Sequence, residues 1–235
     1  GCVWTNAGRY AGGAMSFDGN NDYVNIGSSM DFPAWDRYSV SVWFRHNGGG
    51  SSGGYGQKII DRTSHSQSWF MYMDISNGSV GLKATRTDYT SVAMADTSTN
   101  YMDNAWHHIV AVRDGSDGFL WVNGALKAAC SNMFAVTYST SLYLGYSSYY
   151  LTAHKKCWSG LLDEIRVFDK ALPPSEITNL YAAGCITVPA TAVSVSTNLI
   201  VCGNLTVTGG VSFTEGIYYS RPLGDLSCGV YTNAP

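Results

Sequence analysis

Tyrosine side chains gather in one glycine- and serine-rich segment of the chain, residues 143–150. A tyrosine ring offers an apolar face on which the C–H groups of a sugar can stack, and its hydroxyl group can form hydrogen bonds. Rigid tyrosines beside serine and glycine are also typical of adaptable protein-binding loops. We therefore expect ligand contact through Tyr146, Tyr149 and Tyr150, with assistance from Trp158.

A second group of candidate ligand-binding residues alternates with apolar residues along two predicted strands. Successive side chains of a strand point to opposite faces, so this group is expected on the face away from the core. Its members are Trp43, Arg45, Tyr72 and Asp74. The alternative is that Trp43 and Tyr72 simply pack under a loop.

Residue pairs suited to catalysis are not indicated. Glycoside hydrolysis requires two facing carboxylates roughly 5–9.5 Å apart, whereas Asp163 and Glu164 are neighbours that diverge on a predicted strand. His107 and His108 diverge in the same way, and we expect His108 to be a hydrogen-bonded core residue. The spacings of a glycine-rich phosphate loop and of a Gly-x-Ser-x-Gly elbow occur only in the low-complexity segment 48–54, which lacks the strand–turn–helix context of either motif. It favours a non-catalytic module over the alternatives, a polysaccharide-degrading lyase or hydrolase and a purely structural segment.

One turn, residues 18–22, carries oxygen ligands suited to a hard cation. Carboxylate and carbonyl oxygens are the ligands that Ca²⁺ prefers, and Asp18, Asn20 and Asp22 supply them within a few residues. The turn therefore predicts a structural Ca²⁺ site. The alternative is that Asp18 and Asn20 merely cap the turn by accepting hydrogen bonds from backbone N–H groups.

Composition limits the class of protein. Hydrophobic residues make up 45% of the chain and charged residues 13%, which argues against disorder. No apolar run approaches the roughly 18 residues of a membrane-spanning helix. The net charge is −3 and basic runs are absent, so the chain has no electrostatic footprint for nucleic acid. We expect a folded protein that neither inserts into a membrane nor binds nucleic acid.

Short segments of β-forming residues recur along the chain and are separated by glycine, asparagine, aspartate and serine. They are residues 39–44, 69–73, 108–112, 119–122 and 141–144. Asn123 and Gly124 predict a two-residue hairpin turn, and one helix is expected between Pro173 and Gly184. This pattern predicts an all-β fold, an antiparallel two-sheet sandwich of the jelly-roll type.

Five segments, in order, resemble the laminin G-like, concanavalin A-like jelly roll of lectins and glucanases. They are residues 8–24, 38–44, 106–111, 120–124 and 158–168. The resemblance implies one jelly-roll domain over residues 1–184, and the tyrosine-rich segment favours a glycan or glycosylated surface as the partner. In families of this fold the first and last strands lie side by side. That arrangement implies that Asp163 joins Asp18 at the Ca²⁺ ion.

Six cysteines are scattered along the chain without the spacing of a zinc site. Scattered cysteines in even number favour disulfides formed in an oxidising place, and hence an extracellular, cell-surface or virion-surface location. The resemblance implies adjacent chain ends and therefore a disulfide between Cys2 and Cys185. Pairing of nearest neighbours suggests two more, Cys130–Cys157 and Cys202–Cys228, although the sequence leaves other pairings open.

The tail, residues 185–235, has a different pattern. Residues 198–203 are followed directly by the similar residues 204–209, with apolar residues at alternate positions. The tail resembles the shaft repeats of viral fibres and trimeric adhesins. That resemblance implies a homotrimer that presents the jelly roll as an adhesive head, and the alternative is an extra hairpin docked onto the sandwich.

Overall fold

The computed structural model describes residues 1–9, 12–50, 56–64, 66–137, 140–147, 156–182, 217–218 and 230–231. The strands are numbered in chain order. Residues 1–182 of this described set form two antiparallel sheets, one of seven strands and one of six. The prediction of an all-β, two-sheet sandwich is confirmed.

The seven-stranded sheet contains both ends of the described sandwich. Its spatial order is β1 (Val3–Thr5), β2 (Ala14–Asp18), β13 (Ser159–Phe168), β4 (Arg37–His46), β9 (His107–Asp114), β10 (Asp117–Val122) and β11 (Ala125–Cys130). The six-stranded sheet has the order β3 (Val24–Gly27), β12 (Leu142–Leu144), β5 (Gln57–Thr63), β6 (Ser68–Asp74), β7 (Ser79–Thr85) and β8 (Ser91–Asp96).

The hydrophobic core lies between the two sheets and follows the alternation of the sequence. Val42 and Phe44 of β4 are fully buried on one side, and Met71 and Met73 of β6 are fully buried in the same cluster. The residues between them point away from this core, as a period of two requires. The alternation of side chains along each strand therefore decides which face of a sheet packs in the core and which face can make other contacts.

The hairpin between β10 and β11 has the turn that the sequence predicts. Asn123 and Gly124 both have positive φ angles, 51° and 75°, which is the backbone of a type I′ turn. A Cβ atom at Gly124 would also lie 2.8 Å from the Tyr181 ring. The predicted hairpin is confirmed. Glycine is required at position 124 because of the positive φ angle and because of the nearby Tyr181 ring.

The α-helix of the described residues, α1 (Pro174–Ala182), covers the outer face of the seven-stranded sheet. Proline suits its first turn because the N–H group at that position has no partner within a helix. Ile177 packs with Leu172 against Val110 and Val112 of β9 in a second hydrophobic cluster. Within the described part of the chain, no helix has the length and apolar character needed to cross a membrane.

Beyond α1 the structure describes one small ladder, in which β14 (Ile217–Tyr218) pairs with β15 (Val230–Tyr231). The repeat over residues 198–209 and the domain boundary near residue 184 lie outside the described residues. The shaft-like tail and the trimer therefore stay predictions.

Candidate functional site

A row of side chains crosses four strands on the outer face of the six-stranded sheet. Tyr143 of β12 pairs with Asp61 of β5, which pairs with Phe70 of β6, which in turn pairs with Lys83 of β7. Directly paired residues of neighbouring strands share a face and lie about 5 Å apart. The row therefore spans roughly 14 Å and brings two aromatic rings, a carboxyl group and an amine onto one face of the sheet.

Three lysines lie close to one another on this face, and two of them act on the carboxyl group of the row. Lys58, Lys83 and Lys156, which we call the lysine cluster, interact electrostatically with one another, and Lys58 and Lys156 also interact with Asp61. The amine of Lys58 lies 3.5 Å from the centre of the Phe70 ring, a cation–π contact. Its backbone N–H donates a hydrogen bond to the carbonyl oxygen of Lys156 at 3.1 Å.

Burial shifts the pKa values of Lys58 and Asp61. Lys58 is 1% exposed and Asp61 is fully buried. Burial lowers the pKa of the Lys58 amine well below its ordinary value, against the attraction of Asp61. Burial likewise raises the pKa of Asp61 to about 6, although Lys58 and Thr63 oppose the shift. Strong shifts of two neighbouring groups are typical of functional sites.

Two polar groups beside the lysine cluster, the Asp61 carboxyl group and the Ser147 hydroxyl group, are fully buried. They act on each other, and Ser147 opposes the rise in the pKa of Asp61. Asp61 Oδ2 accepts a hydrogen bond from Thr63 Oγ1 at 2.9 Å. The carboxyl group of the row is therefore used within the fold.

Three tyrosine rings meet where β3 and β12 form the edge of the same sheet. The ring centres of Tyr23 and Tyr146 are 5.3 Å apart, those of Tyr23 and Tyr143 are 5.8 Å apart, and those of Tyr143 and Tyr146 are 6.1 Å apart. We call these rings the tyrosine platform. Tyr23 is 49% exposed, and burial raises the pKa of Tyr146. The platform keeps open ring surface beside the row that contains Asp61.

The platform overlaps the ligand-binding residues that the sequence indicates. Tyr146 belongs to it, whereas Tyr149 and Tyr150 lie outside the described residues. The sequence analysis missed Tyr23, which is far from Tyr143 in the chain and joins it because β3 pairs with β12. The one sequence feature that could have indicated Tyr23 is its position between the turn at residues 18–22 and strand β3.

Trp158 is not a ligand contact in this fold. Its side chain is fully buried, and its ring centre lies 5.8 Å from Phe44 and 5.0 Å from His46 in edge-on contacts. The prediction that Trp158 assists ligand binding is wrong because the ring points into the core between the sheets.

The second predicted group divides between opposite sides of the sandwich. Trp43 and Arg45 lie on β4 of the seven-stranded sheet, whereas Tyr72 and Asp74 lie on β6 of the six-stranded sheet. They therefore do not form one site. Arg45 donates a hydrogen bond to Asn104 Oδ1 at 3.0 Å. Tyr72 remains near the lysine cluster, 5.5 Å from the Lys58 amine.

Asp74 ends its strand as a turn residue. Its Oδ1 atom accepts hydrogen bonds from the backbone N–H and the hydroxyl group of Ser76, at 2.9 and 2.7 Å. This is the turn that an aspartate side chain makes with its own backbone two residues on. The carboxyl group is therefore used in local structure.

Trp43 packs beneath α1 rather than facing solvent. It is 3% exposed, and its ring stacks on His108 at 4.9 Å and on Tyr181 at 5.7 Å. The guanidinium group of Arg9 lies 4.4 Å from the same ring. The alternative given for Trp43, that it packs under another element, is therefore correct, but that element is helix α1 and not a loop.

His108 is the buried, hydrogen-bonded residue that the sequence predicts. Its Nε2 atom lies 2.8 Å from the Ser41 hydroxyl oxygen. Burial and then the nearby Arg166 and Arg9 lower the pKa of His108 to about 3, so the ring is neutral at physiological pH. The residue stabilises the packing under α1.

The Asp163 and Glu164 side chains serve the fold at an irregular point of β13. Asp163 accepts backbone hydrogen bonds from Arg9 and Glu164, both at 2.8 Å. Glu164 forms a close ion pair with Arg166 and has a φ angle of 50°, where the pairing of β13 with β4 shifts register. These contacts orient the two carboxylates toward the backbone and a neighbouring arginine.

The predicted Ca²⁺ ligands are not brought together. Asp18 pairs with Ser159, four residues before Asp163, which is about 13 Å along the strand. One ion cannot bridge that distance, because calcium ligands lie roughly 2.3–2.6 Å from the ion. The expectation of one ion shared by Asp18 and Asp163 is wrong.

The turn at residues 18–22 is capped by its own carboxylates. Asp18 Oδ1 accepts a hydrogen bond from the Asn20 backbone at 2.8 Å, and Asp22 Oδ2 accepts one from the Asp18 backbone at 2.9 Å. The described residues hold no group of three or more His, Cys, Asp or Glu side chains arranged to bind a metal. The turn fits the capping alternative, and a Ca²⁺ ion held by Asp18, Asn20 and Asp22 stays a prediction.

The predicted Cys130–Cys157 disulfide is absent. Cys130 ends β11 and is a free thiol, whereas Cys157 donates a hydrogen bond to the carbonyl oxygen of Asn20 at 3.0 Å. β11 lies four strands from β13, or roughly 19 Å, and a disulfide needs Cα atoms within about 7 Å. The prediction is wrong because most of a sheet separates the two residues.

The other two predicted disulfides stay predictions. Cys185, Cys202 and Cys228 lie outside the described residues. Cys2 is described, and its thiol lies 3.5 Å from the carbonyl oxygen of Tyr23. Burial raises the pKa of the Cys2 thiol.

Comparison with known proteins identifies a family. Residues 18–178 match the family model Laminin_G_3, described as the concanavalin A-like lectin/glucanases superfamily. Comparison with curated protein sequences gives no significant match.

Several solved structures share the fold. Domain 4 of an extracellular arabinanase from Geobacillus stearothermophilus, in complex with arabinotriose, has 18% identity and a TM-score of 0.60 over 77% of this chain and 81% of that one. The binding domain of Paraclostridial Mosquitocidal Protein 1 has 15% identity and a TM-score of 0.61, over 77% of this chain and 45% of that one. A heptameric SAP-like pentraxin from Limulus polyphemus has 16% identity and a TM-score of 0.51, over 71% of this chain and 80% of that one.

Proposed function

The chain belongs to the concanavalin A-like lectin/glucanases superfamily, and we propose that it is a non-catalytic module that binds glycans through the outer face of its six-stranded sheet. The tyrosine platform carries this proposal. Its three rings lie within 6.1 Å of one another, and Tyr23 is half-exposed. Stacking on such rings and hydrogen bonds to their hydroxyl groups suit a sugar, which has apolar and polar faces.

The hydroxyl groups of the tyrosine platform supply polar contacts that can orient a sugar. Sites of this kind combine aromatic walls with a few placed polar groups. The arabinanase domain, which shares the fold and was solved with arabinotriose, supports a saccharide as the ligand.

A glycan array probed with the labelled protein, followed by calorimetric titration of the best ligands, tests this function. Loss of an aromatic anchor typically raises Kd by about 5- to 30-fold, or roughly 1–2 kcal/mol. We expect that loss for Tyr143→Ala and Tyr146→Ala. Tyr89→Ala is the matched control, because Tyr89 is 68% exposed in the β7–β8 turn, at the other edge of the same sheet. Equal affinities for all variants, or no glycan binding, would contradict the proposal.

A polysaccharide-degrading enzyme is the second candidate, and one observation favours it. The opposed pKa shifts of Lys58 and Asp61 are of the kind found in acid–base sites. The array ligands should therefore be incubated with the protein and assayed for new reducing ends and unsaturated uronates. Turnover that is lost in an Asp61→Asn variant shown by its melting curve to be folded would favour the enzyme over the binding module.

The setting that we propose is attachment outside the cell, on a cell or virion surface, with self-association through the tail into a trimer. The alternating repeat of residues 198–209 supports it, because such a ribbon buries its apolar side only against other copies or the sandwich. Light scattering on the full chain tests the trimer. A mass of 25.4 kDa would indicate a monomer and contradict it.

A further inference from the structure

An asparagine lies beside the tyrosine platform on the same face of the sheet. Asn25 of β3 is directly opposite Tyr143 of β12, and paired residues of neighbouring strands share a face. Tyr23 lies two residues before Asn25, and its ring centre is 5.8 Å from that of Tyr143. Asn25 is exposed to solvent. An exposed amide group is therefore the neighbour of one platform ring across the strand pair and of another along the chain.

A hydrogen bond at the end of β3 fixes the orientation of this amide group. The Oδ1 atom of Asn25 accepts a hydrogen bond from the backbone N–H of Gly27 at 2.9 Å. Gly27 has a φ angle of 88°, a conformation that favours glycine. Because a backbone N–H can pair only with the oxygen of a side-chain amide, the position of Nδ2 is fixed as well. Asn25 therefore offers a ligand its N–H donors.

The groups around the platform are uncharged or buried. Burial raises the pKa of the Tyr146 hydroxyl group, so the group stays neutral at physiological pH. The carboxyl group next to Tyr23 in the chain, that of Asp22, is 5% exposed and accepts a hydrogen bond from the Asp18 backbone. Asp61, opposite Tyr143, is fully buried. A ligand on the platform therefore meets phenol groups and an amide group, which favours an uncharged ligand.

An acetamido group combines the two features that suit an amide donor beside an aromatic ring. Its carbonyl oxygen accepts hydrogen bonds and carries no proton, so it suits the Nδ2 donors of Asn25. Its methyl group is apolar and gains from contact with the ring of Tyr23, which is 49% exposed. A sugar hydroxyl group at the same place is a poorer match, because it has no methyl group and its own O–H needs an acceptor.

We infer that the saccharide bound at the tyrosine platform is N-acetylated, and that Asn25 donates a hydrogen bond to the carbonyl oxygen of its acetamido group while the methyl group lies against Tyr23. This inference rests on the proposed function and specifies its ligand class. The tyrosine rings bind the sugar by stacking, and Asn25 selects the acetylated sugar over one with a hydroxyl group in its place.

Calorimetric titrations with tri-N-acetylchitotriose and with cellotriose test the inference. The two trisaccharides share a backbone and a linkage, and they differ in carrying an acetamido group or a hydroxyl group at one position of each ring. We expect the acetylated trisaccharide to bind at least about fivefold more tightly, because it gains a hydrogen bond and an apolar contact. Added salt should leave both affinities unchanged, because no charged group is recognised.

An Asn25→Asp variant tests the hydrogen bond itself. Aspartate keeps an oxygen for the Gly27 N–H group but has no side-chain N–H group. Affinity for the acetylated trisaccharide should therefore fall about 3- to 10-fold, and affinity for cellotriose should change less than about twofold. Asn25→Ala should give the same loss. Circular dichroism melts establish that each variant is folded.

Asn100→Asp is the matched control. Asn100 is also exposed, and its Oδ1 atom accepts a hydrogen bond from the backbone N–H of Met102 at 2.9 Å, as that of Asn25 does from Gly27. It follows β8, which forms the opposite edge of the six-stranded sheet. This substitution should leave the affinity for both trisaccharides unchanged.

The outcomes separate the inference from the proposed function. Equal affinities for the two trisaccharides, no binding of either, or equal effects of Asn25→Asp and Asn100→Asp would overturn the inference. If in that case Tyr143→Ala still weakens the binding of glycans found on the array, the proposed function stands without it. If neither trisaccharide binds and the array is blank, the proposed function fails as well.

Discussion

Tyr143 lies directly opposite Asp61 across the β12–β5 pair, so an aromatic ring at the open edge of the sheet adjoins a buried carboxyl group. The ring belongs to the tyrosine platform, and the carboxyl group interacts with Lys58 and Lys156 of the lysine cluster. Each feature alone has a structural explanation in packing or charge pairing. Their adjacency on one face makes that face a candidate saccharide site.

The first prediction concerns the buried charges. Asp61→Asn removes the negative charge beside Lys58, which is 1% exposed, so it should lower the free energy of unfolding by about 3 kcal/mol or more. Adding Lys58→Met should recover part of that loss, because the buried amine that Asp61 attracts is removed as well. Urea unfolding measures both.

Asp114→Asn is the control for this pair of variants. Asp114 and Arg37 form an ion pair that is half-exposed to solvent, and such pairs contribute about 0–1 kcal/mol. Equal losses for Asp61→Asn and Asp114→Asn would show that Asp61 does not compensate a buried charge.

The second prediction concerns acid sensitivity between about pH 6.5 and pH 4.5. The pKa of His108 is lowered to about 3 in the folded protein from roughly 6.5 when unfolded. The unfolded chain therefore binds the additional proton, and stability falls as the pH falls below 6.5. Burial lowers the pKa of His46 as well, with the same sign.

The contribution of Asp61 to stability has the opposite pH dependence in this pH range. Its pKa is raised to about 6, so the folded protein binds the proton first, and stability from this group is lost as the pH rises from about 4 to 6. His108→Gln should therefore make unfolding less acid-sensitive, by up to about 1.4 kcal/mol per pH unit. Urea titrations at several pH values test this, and an unchanged slope would contradict the role of His108.

The third prediction separates packing from recognition. Trp158→Ala should destabilise the fold by about 3–5 kcal/mol, because it removes a fully buried ring. Tyr23→Ala should leave the melting temperature nearly unchanged but weaken glycan binding, because Tyr23 is 49% exposed. Melting curves and calorimetric titrations with the glycan, measured on both variants, test this prediction. Weakened binding for a well-folded Trp158→Ala protein would restore that residue to the site.

The tryptophans also show what the sequence could predict. Alternation along β4 and β6 correctly separated the core residues from the outward ones, because a strand has a fixed period of two. It did not reveal that α1 covers the outer face of one sheet, where Trp43 stacks on Tyr181. Covering elements come from distant parts of the chain, so a local pattern cannot tell an exposed face from a covered one.

The remaining errors have a similar cause. The resemblance correctly implied that the strands of Asp18 and Asp163 are neighbours, but the register places Asp18 opposite Ser159. Nearest-neighbour pairing of Cys130 with Cys157 ignored the sheet order that separates their strands. Tyr23 was missed because the pairing of β3 with β12, and no local spacing, brings it to Tyr143.

The fourth prediction concerns the turn at residues 18–22. Asp18→Ala removes the acceptor for the Asn20 backbone N–H group and should destabilise the protein by about 1 kcal/mol. The loss should be the same with calcium and with a chelator. A melting temperature that calcium raises in the unaltered protein but not in Asp18→Ala would instead show that this carboxylate binds the ion.

The central claim is that saccharides bind the outer face of the six-stranded sheet, and mapping by nuclear magnetic resonance tests it most directly. The tightest-binding oligosaccharide from the glycan array would be titrated into labelled protein while backbone signals are followed. The account predicts shifts concentrated at Tyr23, Tyr143 and Tyr146, with none at Trp43 or Tyr181. Shifts centred on Trp43 and α1 would place binding on the opposite face of the sandwich and contradict it.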